Sequence, residues 1–220
     1  MSFNNAKNIL VGASPLFISE KDSTQSGYVV QEPGSAAAAA YVSGESYTDT
    51  LNGLAGSKYR NVGYTNNGLQ ITYNPTYDSV TVDQLLDTAK LFKSAMEVMI
   101  ATEMAEGTLE NVLVVFGQRA ATLTETGTGL TATETLGLEA GALGAAATER
   151  QLIAVGAAPT AAATATERVY YARRVLSVQQ SQFSLARSQA TTFPVTFRLL
   201  PDAAYAGAEY GKIIDRVLTV

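Results

Sequence analysis

The hydrophobic period changes once, at Gly107, along the stretch AMEVMIATEMAEGTLENVLVVFGQ at positions 95–118. Before Gly107, Met96, Val98, Ile100, Thr102 and Met104 alternate with Glu97, Glu103 and the small Ala95, Ala101 and Ala105. A period of two predicts a half-buried strand. Beyond Gly107 the spacing is helical. Leu109, Val112, Leu113 and Phe116 share a stripe, Thr108 is placed to cap and Gly117 to stop, which predicts a helix over about 108–116. Upstream, Val62 and Tyr64, then Asn66-Asn67-Gly68, then Leu69, Ile71 and Tyr73 predict a hairpin around a primed turn. Pro75 is expected to end its second strand. Residues 78–82 start a third, and 83–94, with Leu85, Leu86 and Phe92, reads either as a helical turn or as a covering loop.

The rest of the chain is also β in pattern. Residues 9–19 predict a bent strand pair broken at Gly12 and Pro15. A low-complexity Ala/Thr/Gly insertion around 120–167 carries two islands of strand pattern, 135–140 and 150–154. Residues 169–178 alternate Val169, Tyr171, Arg173 and Val175 against Tyr170, Arg174 and Leu176. Residues 189–200 predict a long strand in which Pro194 marks an edge or a bulge, and 212–220 a final strand or short helix. Segment 20–58 is rich in Ser, Gly, Thr and Tyr and has an alanine run at 36–40. It is expected to be an extended hairpin arm that orders against a neighbour, with plain disorder as the alternative. Tyr28, Val29, Val30, Tyr41 and Tyr47 are its candidate assembly contacts. Deleting 24–58 is then expected to leave the subunit folded and to block assembly. The fold class is mainly β: one domain over 1–220, a sandwich or barrel with one flanking helix and a long loop or hairpin arm.

Composition narrows the chemistry. The chain has no histidine, so the usual general base, metal ligand and physiological pH switch are missing. It has no cysteine either, which removes disulfides and thiolate metal sites. The charged fraction of 16% is low for a soluble domain. That pallor fits a surface covered by partners, or an alanine-rich composition. A net charge of −5 argues against gripping nucleic acid through its phosphates, and fits letting it slide past. No apolar run approaches the ~20 residues needed to span a bilayer. The start MSFNNAKNILVG lacks the basic and apolar regions of a secretory leader, so none is expected.

Glu103, Glu106 and Glu110 form the one dense carboxylate cluster, a pattern able to bind a divalent cation or act as an acid/base pair. They straddle the strand-to-helix junction and need not converge. The helix start favours anions, so we read them as helix-capping or lumen charge. TGTGL at 126–130 lacks the third glycine of a dinucleotide loop and the lysine of a phosphate loop. Arg173 and Arg174, with Arg168 nearby, are able to touch a phosphate. Adjacent residues on a strand face opposite ways, so they read as solvated or ion-paired. The expectation is therefore a protein that is not an enzyme, with no catalytic, cofactor or metal site.

Four stretches together resemble the tail tube proteins (major tail proteins) of tailed bacteriophages: VGASPLFIS at 11–19, NVGYTNNGLQITY at 61–73 running into VTVDQ, the Gly107 stretch with TLENVLVVFG, and PVTFRLLPD at 194–202 ahead of YGKIIDR. The resemblance implies a β-sandwich with a flanking helix and a self-assembling virion protein. Six copies would form a ring whose neighbouring strands continue one inner β-barrel, and stacked rings would form the tube that carries DNA to the host cell. Implied partners are further copies of the chain, tape measure, tail terminator and baseplate or tip proteins, and passing double-stranded DNA without specific binding. No membrane is implied. The implied location is the virion tail, assembled in the host cytoplasm. The alternatives are the inner tube of a contractile tail or injection system, and a non-polymerising β-sandwich module that decorates or binds a virion.

Overall fold

A computed structural model describes residues 12–35, 40–53, 58–84, 87–159, 166–179, 181–185, 187 and 190–218. The chain is mainly β. An antiparallel eight-stranded sheet runs in the spatial order β2 (Tyr59–Asn61), β1 (Leu16–Ser19), β7 (Arg150–Ala157), β8 (Thr166–Ser177), β9 (Phe193–Leu199), β4 (Lys90–Met104), β3 (Thr65–Val80), and β10 (Gly211–Val217) also pairs with β8. A separate hairpin joins β5 (Leu123–Thr126) to β6 (Thr133–Leu136).

One short connection sets the shape of the sheet. β2 and β3 lie at its opposite ends, yet only residues 62–64 separate them. That much chain spans roughly 14 Å at full extension, so the sheet must roll until its ends meet. Backbone bonds stitch the seam: Val62 N donates to Leu16 O at 3.0 Å, and Ala105 N donates to Tyr64 O at 2.8 Å. The sandwich-or-barrel expectation resolves into a rolled, open barrel.

Alternation along each strand then sorts the core into two clusters. Leu16, Ile18, Leu152, Ala154, Val175, Val195, Phe197, Val98, Ile100 and Met104 pack together with Leu113, Val114 and Val115 of α2 (Leu109–Val115). Facing the other way, Phe17, Ile153, Val155, Val169 and Tyr171 pack with Tyr59 and with Tyr47 and Leu51 of α1 (Tyr47–Gly53). Each fully buried side chain of this size stabilises the fold by about 1.5–3 kcal/mol. Met96 is half-buried, and Val98, Ile100, Thr102 and Met104 are buried, so the expected inward face of β4 is observed.

Helix α2 starts and stops where its sequence signals lie. Thr108 Oγ1 accepts from Asn111 N at 3.3 Å. At the other end Gly117 adopts φ 64°. Gln118 N then reaches Leu113 O at 2.9 Å and Gly117 N reaches Val114 O at 3.1 Å, which satisfies the last-turn carbonyls. Its buried residues are Asn111, Leu113, Val114 and Val115, while Phe116 is exposed. The helix is thus turned relative to the expected stripe, because β9 and the β5–β6 hairpin both pack against it.

Several local expectations are corrected. There is a second helix, α1, inside segment 20–58, where an extended hairpin was expected. Asn67 and Gly68 do adopt the left-handed conformation of a primed turn, with φ of 59° and 66°. They bulge one continuous strand, since the β3–β4 register shifts between Asn66 and Gln70. Pro75 does not end β3, because among the described residues β3 has no outer neighbour that needs its missing donor. Residues 78–80 continue β3, and 90–94 open β4. In β8, Arg150 pairs with Val175 but Leu152 with Ala172, a bulge that moves Val175 off the face of Val169 and Tyr171. Pro194 sits in β9 beyond the Phe197–Leu199 stretch that pairs with β8, so that side has no ladder to break. The final segment is strand, β10. Of the island expected at 135–140 only 135–136 are strand, at the end of β6 (Thr133–Leu136), and 150–154 appears within the longer β7. Residues 9–11, 36–39, 160–165, Leu85, Leu86 and Gln189 lie outside the described residues.

Candidate assembly surface

β3 and β4 pair from Thr65↔Met104 to Val80↔Lys90, but β9 pairs only with the Met99–Met104 end of β4. Among the described residues, the outer edge of β3 and the β9-side edge of β4 over 90–98 have no strand partner. The distal hairpin therefore leaves the barrel as an arm. Its turn is closed by Ala89 N donating to Val80 O at 2.9 Å. Tyr73, Tyr77, Val80, Leu91 and Phe92 are all exposed on it, Leu91 at 64%. Lys93 Nζ lies 5.7 Å from the centre of the Tyr73 ring, which places both side chains on one face. Large apolar side chains and bare strand edges coincide here.

The described residues of segment 20–53 are held in the opposite way. Buried Glu167 of β8 accepts from Tyr47 N at 3.0 Å and from Ser46 Oγ at 3.0 Å, and it pairs with Arg216 of β10. Its charge lies at the start of α1, where the helix dipole favours an anion. Arg216 also donates to Val42 O at 3.1 Å and lies over the Tyr41 ring. Arg173, fully buried, pairs with Glu32 and lies 3.6 Å from the centre of the Tyr205 ring. Hydrogen bonds from Lys212, at 2.7 Å, and from Arg173 hold the Glu32 carboxyl below its ordinary range. Further back, Asp22 accepts from Thr24 N at 2.8 Å and from Ala120 N, and faces Arg150 at 3.5 Å. Burial pushes the Arg150 guanidinium below its ordinary value despite Asp22.

This arrangement places the candidate contacts differently from the expectation. Tyr47 is fully buried, and Tyr41 stacks edge-on against it at 4.8 Å. Tyr28 and Val30 are half-buried, and burial pushes the Tyr28 hydroxyl up to about 12. Of the five, only Val29 is well exposed, at 57%.

The carboxylate cluster does not converge. Glu103 accepts from Asn66 Nδ2 at 3.2 Å, Glu106 from Tyr64 N at 2.9 Å, and Glu110 faces Arg60 at 3.4 Å. Among the described residues no three potential metal ligands gather. Arg168, Arg173 and Arg174 are each ion-paired, with Asp215, Glu32 and Glu149 in turn. The TGTGL glycines lie in the loop between β5 and β6. No described helix is long and apolar enough to cross a membrane.

Two polar residues that sequence reading passed over matter more. Asn111 is buried in α2 and donates to Val62 O and Glu106 O, both at 2.9 Å, while accepting from Arg60 at 2.7 Å. It locks α2 to the seam. Gln151 Oε1 accepts from Gln31 N and Tyr59 Oη, both at 2.8 Å, and its amide donates to Val29 O at 2.8 Å. The available signal was an asparagine in the first turn of an apolar helix, where its side chain competes for backbone groups.

Where β8 passes from pairing with β10 to pairing with β9, the sheet forks. A groove of about 230 Å³ opens there, lined by Tyr73 and Val98 of the arm's base, Tyr170, Leu199, Tyr210 and Ile213. No family model matches the chain, and no curated protein matches it.

Proposed function

We propose that this chain is a self-assembling structural subunit, not an enzyme, and that it builds the tail tube of a tailed bacteriophage. Six copies close into a ring, and stacked rings form the conduit for DNA. The observation that carries the reading is the β3–β4 arm. A two-stranded hairpin is marginal alone in water, and a long bare edge strand invites pairing. Such an arm, loaded with Tyr73, Tyr77, Leu91 and Phe92, is suited to cover by a neighbour. The low charged fraction supports extensive contacts. The net charge of −5 supports a lumen that repels DNA phosphates.

Electron microscopy of the concentrated protein tests the reading. Rings or hollow tubes are expected. Persistent monomers at high concentration would overturn it in favour of a non-polymerising virion module.

A further inference from the structure

Resting on the self-assembly reading, we infer that the groove between β10 and the base of the arm receives the arm tip of a second copy. The hole and the knob belong to the same chain but cannot meet within it. Tyr73 and Val98, which wall the groove, are part of the hairpin whose tip would have to fill it. The ladder runs from that wall to Val80↔Lys90, so folding the tip back would break it.

The two surfaces match in chemistry and in spacing. On the tip, Leu91 and Lys93 are two residues apart and share a strand face. On β10, Ile213 and Asp215 are also two apart and share a face, with Ile213 lining the groove and 66% exposed. An apolar side chain thus meets an apolar one, and Lys93 comes beside the Asp215–Arg168 pair, on the side of its carboxylate. Backbone chemistry matches too. Among the described residues β10 pairs only with β8, which leaves its outer edge free. The edges of the tip are equally free, so strand addition accompanies side-chain docking. Knob and hole are different surfaces, so the contact is head-to-tail. It propagates into a ring or a filament and does not stop at a symmetric pair.

The absence of native cysteine permits a clean test. Leu91→Cys and Ile213→Cys are made as separate variants, both at exposed positions. They are mixed, concentrated and treated with a short bis-maleimide. A covalent dimer is expected from the mixture and from neither variant alone, and the double variant should give a ladder of higher oligomers. No dimer from the mixture, or an equal dimer from Leu91→Cys alone, would overturn the docking. Tubes without the mixed cross-link would remove this contact and leave the tube reading intact. An unmodified protein that stays monomeric, together with no cross-link from the mixed variants, would remove both.

Discussion

Segment 20–53 and the β3–β4 arm are both long, tyrosine-bearing stretches, and they have opposite fates. The first is drawn onto the barrel by Glu167, Arg173, Arg150 and Gln151, more than a hundred residues away in sequence. The second has a more strand-like pattern and leaves the body. What separates them is the supply of buried partners. Polar loop chain becomes part of a subunit when its backbone and carboxylates find fixed counterparts. A strongly apolar hairpin stays out when no strand flanks its far half. The candidate assembly element therefore moves from 20–58 to the arm.

The largest expected effect breaks this contrast at the level of whole segments. Deleting 24–58 removes Tyr47 and Leu51 from their cluster and strips Glu167 of Tyr47 N. Loss of cooperative unfolding is expected in a thermal melt. A deletion variant that melts like the parent would restore the segment to the role of a dispensable arm.

Next in size is Glu167→Ala. Removing one partner of a buried pair leaves Arg216 uncompensated and costs about 3–5 kcal/mol. For a domain of this size that lowers Tm by roughly 6–20 °C. Asn111→Ala ranks below it. It leaves Val62 O and Glu106 O without their donor, at a cost of about 1–3 kcal/mol. Chemical denaturation would read that loss, and an unchanged midpoint would mean that the seam does not depend on this lock.

A smaller effect comes from Glu32. Its carboxyl is held below the ordinary value of 4.5, chiefly by the hydrogen bond from Lys212. Unfolding restores the ordinary value, so as the pH falls the unfolded chain takes up the proton first. The contribution is fully present above the ordinary value and is lost as pH falls through the lowered one. Glu32→Gln should flatten that part of the acid limb in a plot of Tm against pH, and an unaltered limb would show that the clamp at Glu32 contributes nothing.

Much of the architecture was legible because local chemistry decided it. The alternation of Met96 to Met104, the Thr108 cap and the Gly117 stop all act within a few residues, and each appears where expected. The misreadings share a different cause. Asn67-Gly68 has the conformation of a primed turn, but whether it reverses the chain depends on β4 running opposite the whole of β3. Pro75 looks like a strand end until its edge position is known. The fate of segment 20–53 depends on Glu167 and Arg173, whose pairing with Ser46, Tyr47 and Glu32 no local window contains. The seam at 62–64 is short enough to see in sequence, but its meaning follows only from the strand order.

The central claim is that the arm serves assembly while segment 20–53 serves the subunit. The most direct measurement compares the parent with a variant in which 77–93 is replaced by an Asn-Gly turn, by electron microscopy and thermal melting at matched concentration. The parent should form rings or tubes. The shortened variant should keep its Tm, because the described side chains removed are exposed, and should remain monomeric. Tubes built by the shortened variant would contradict the claim.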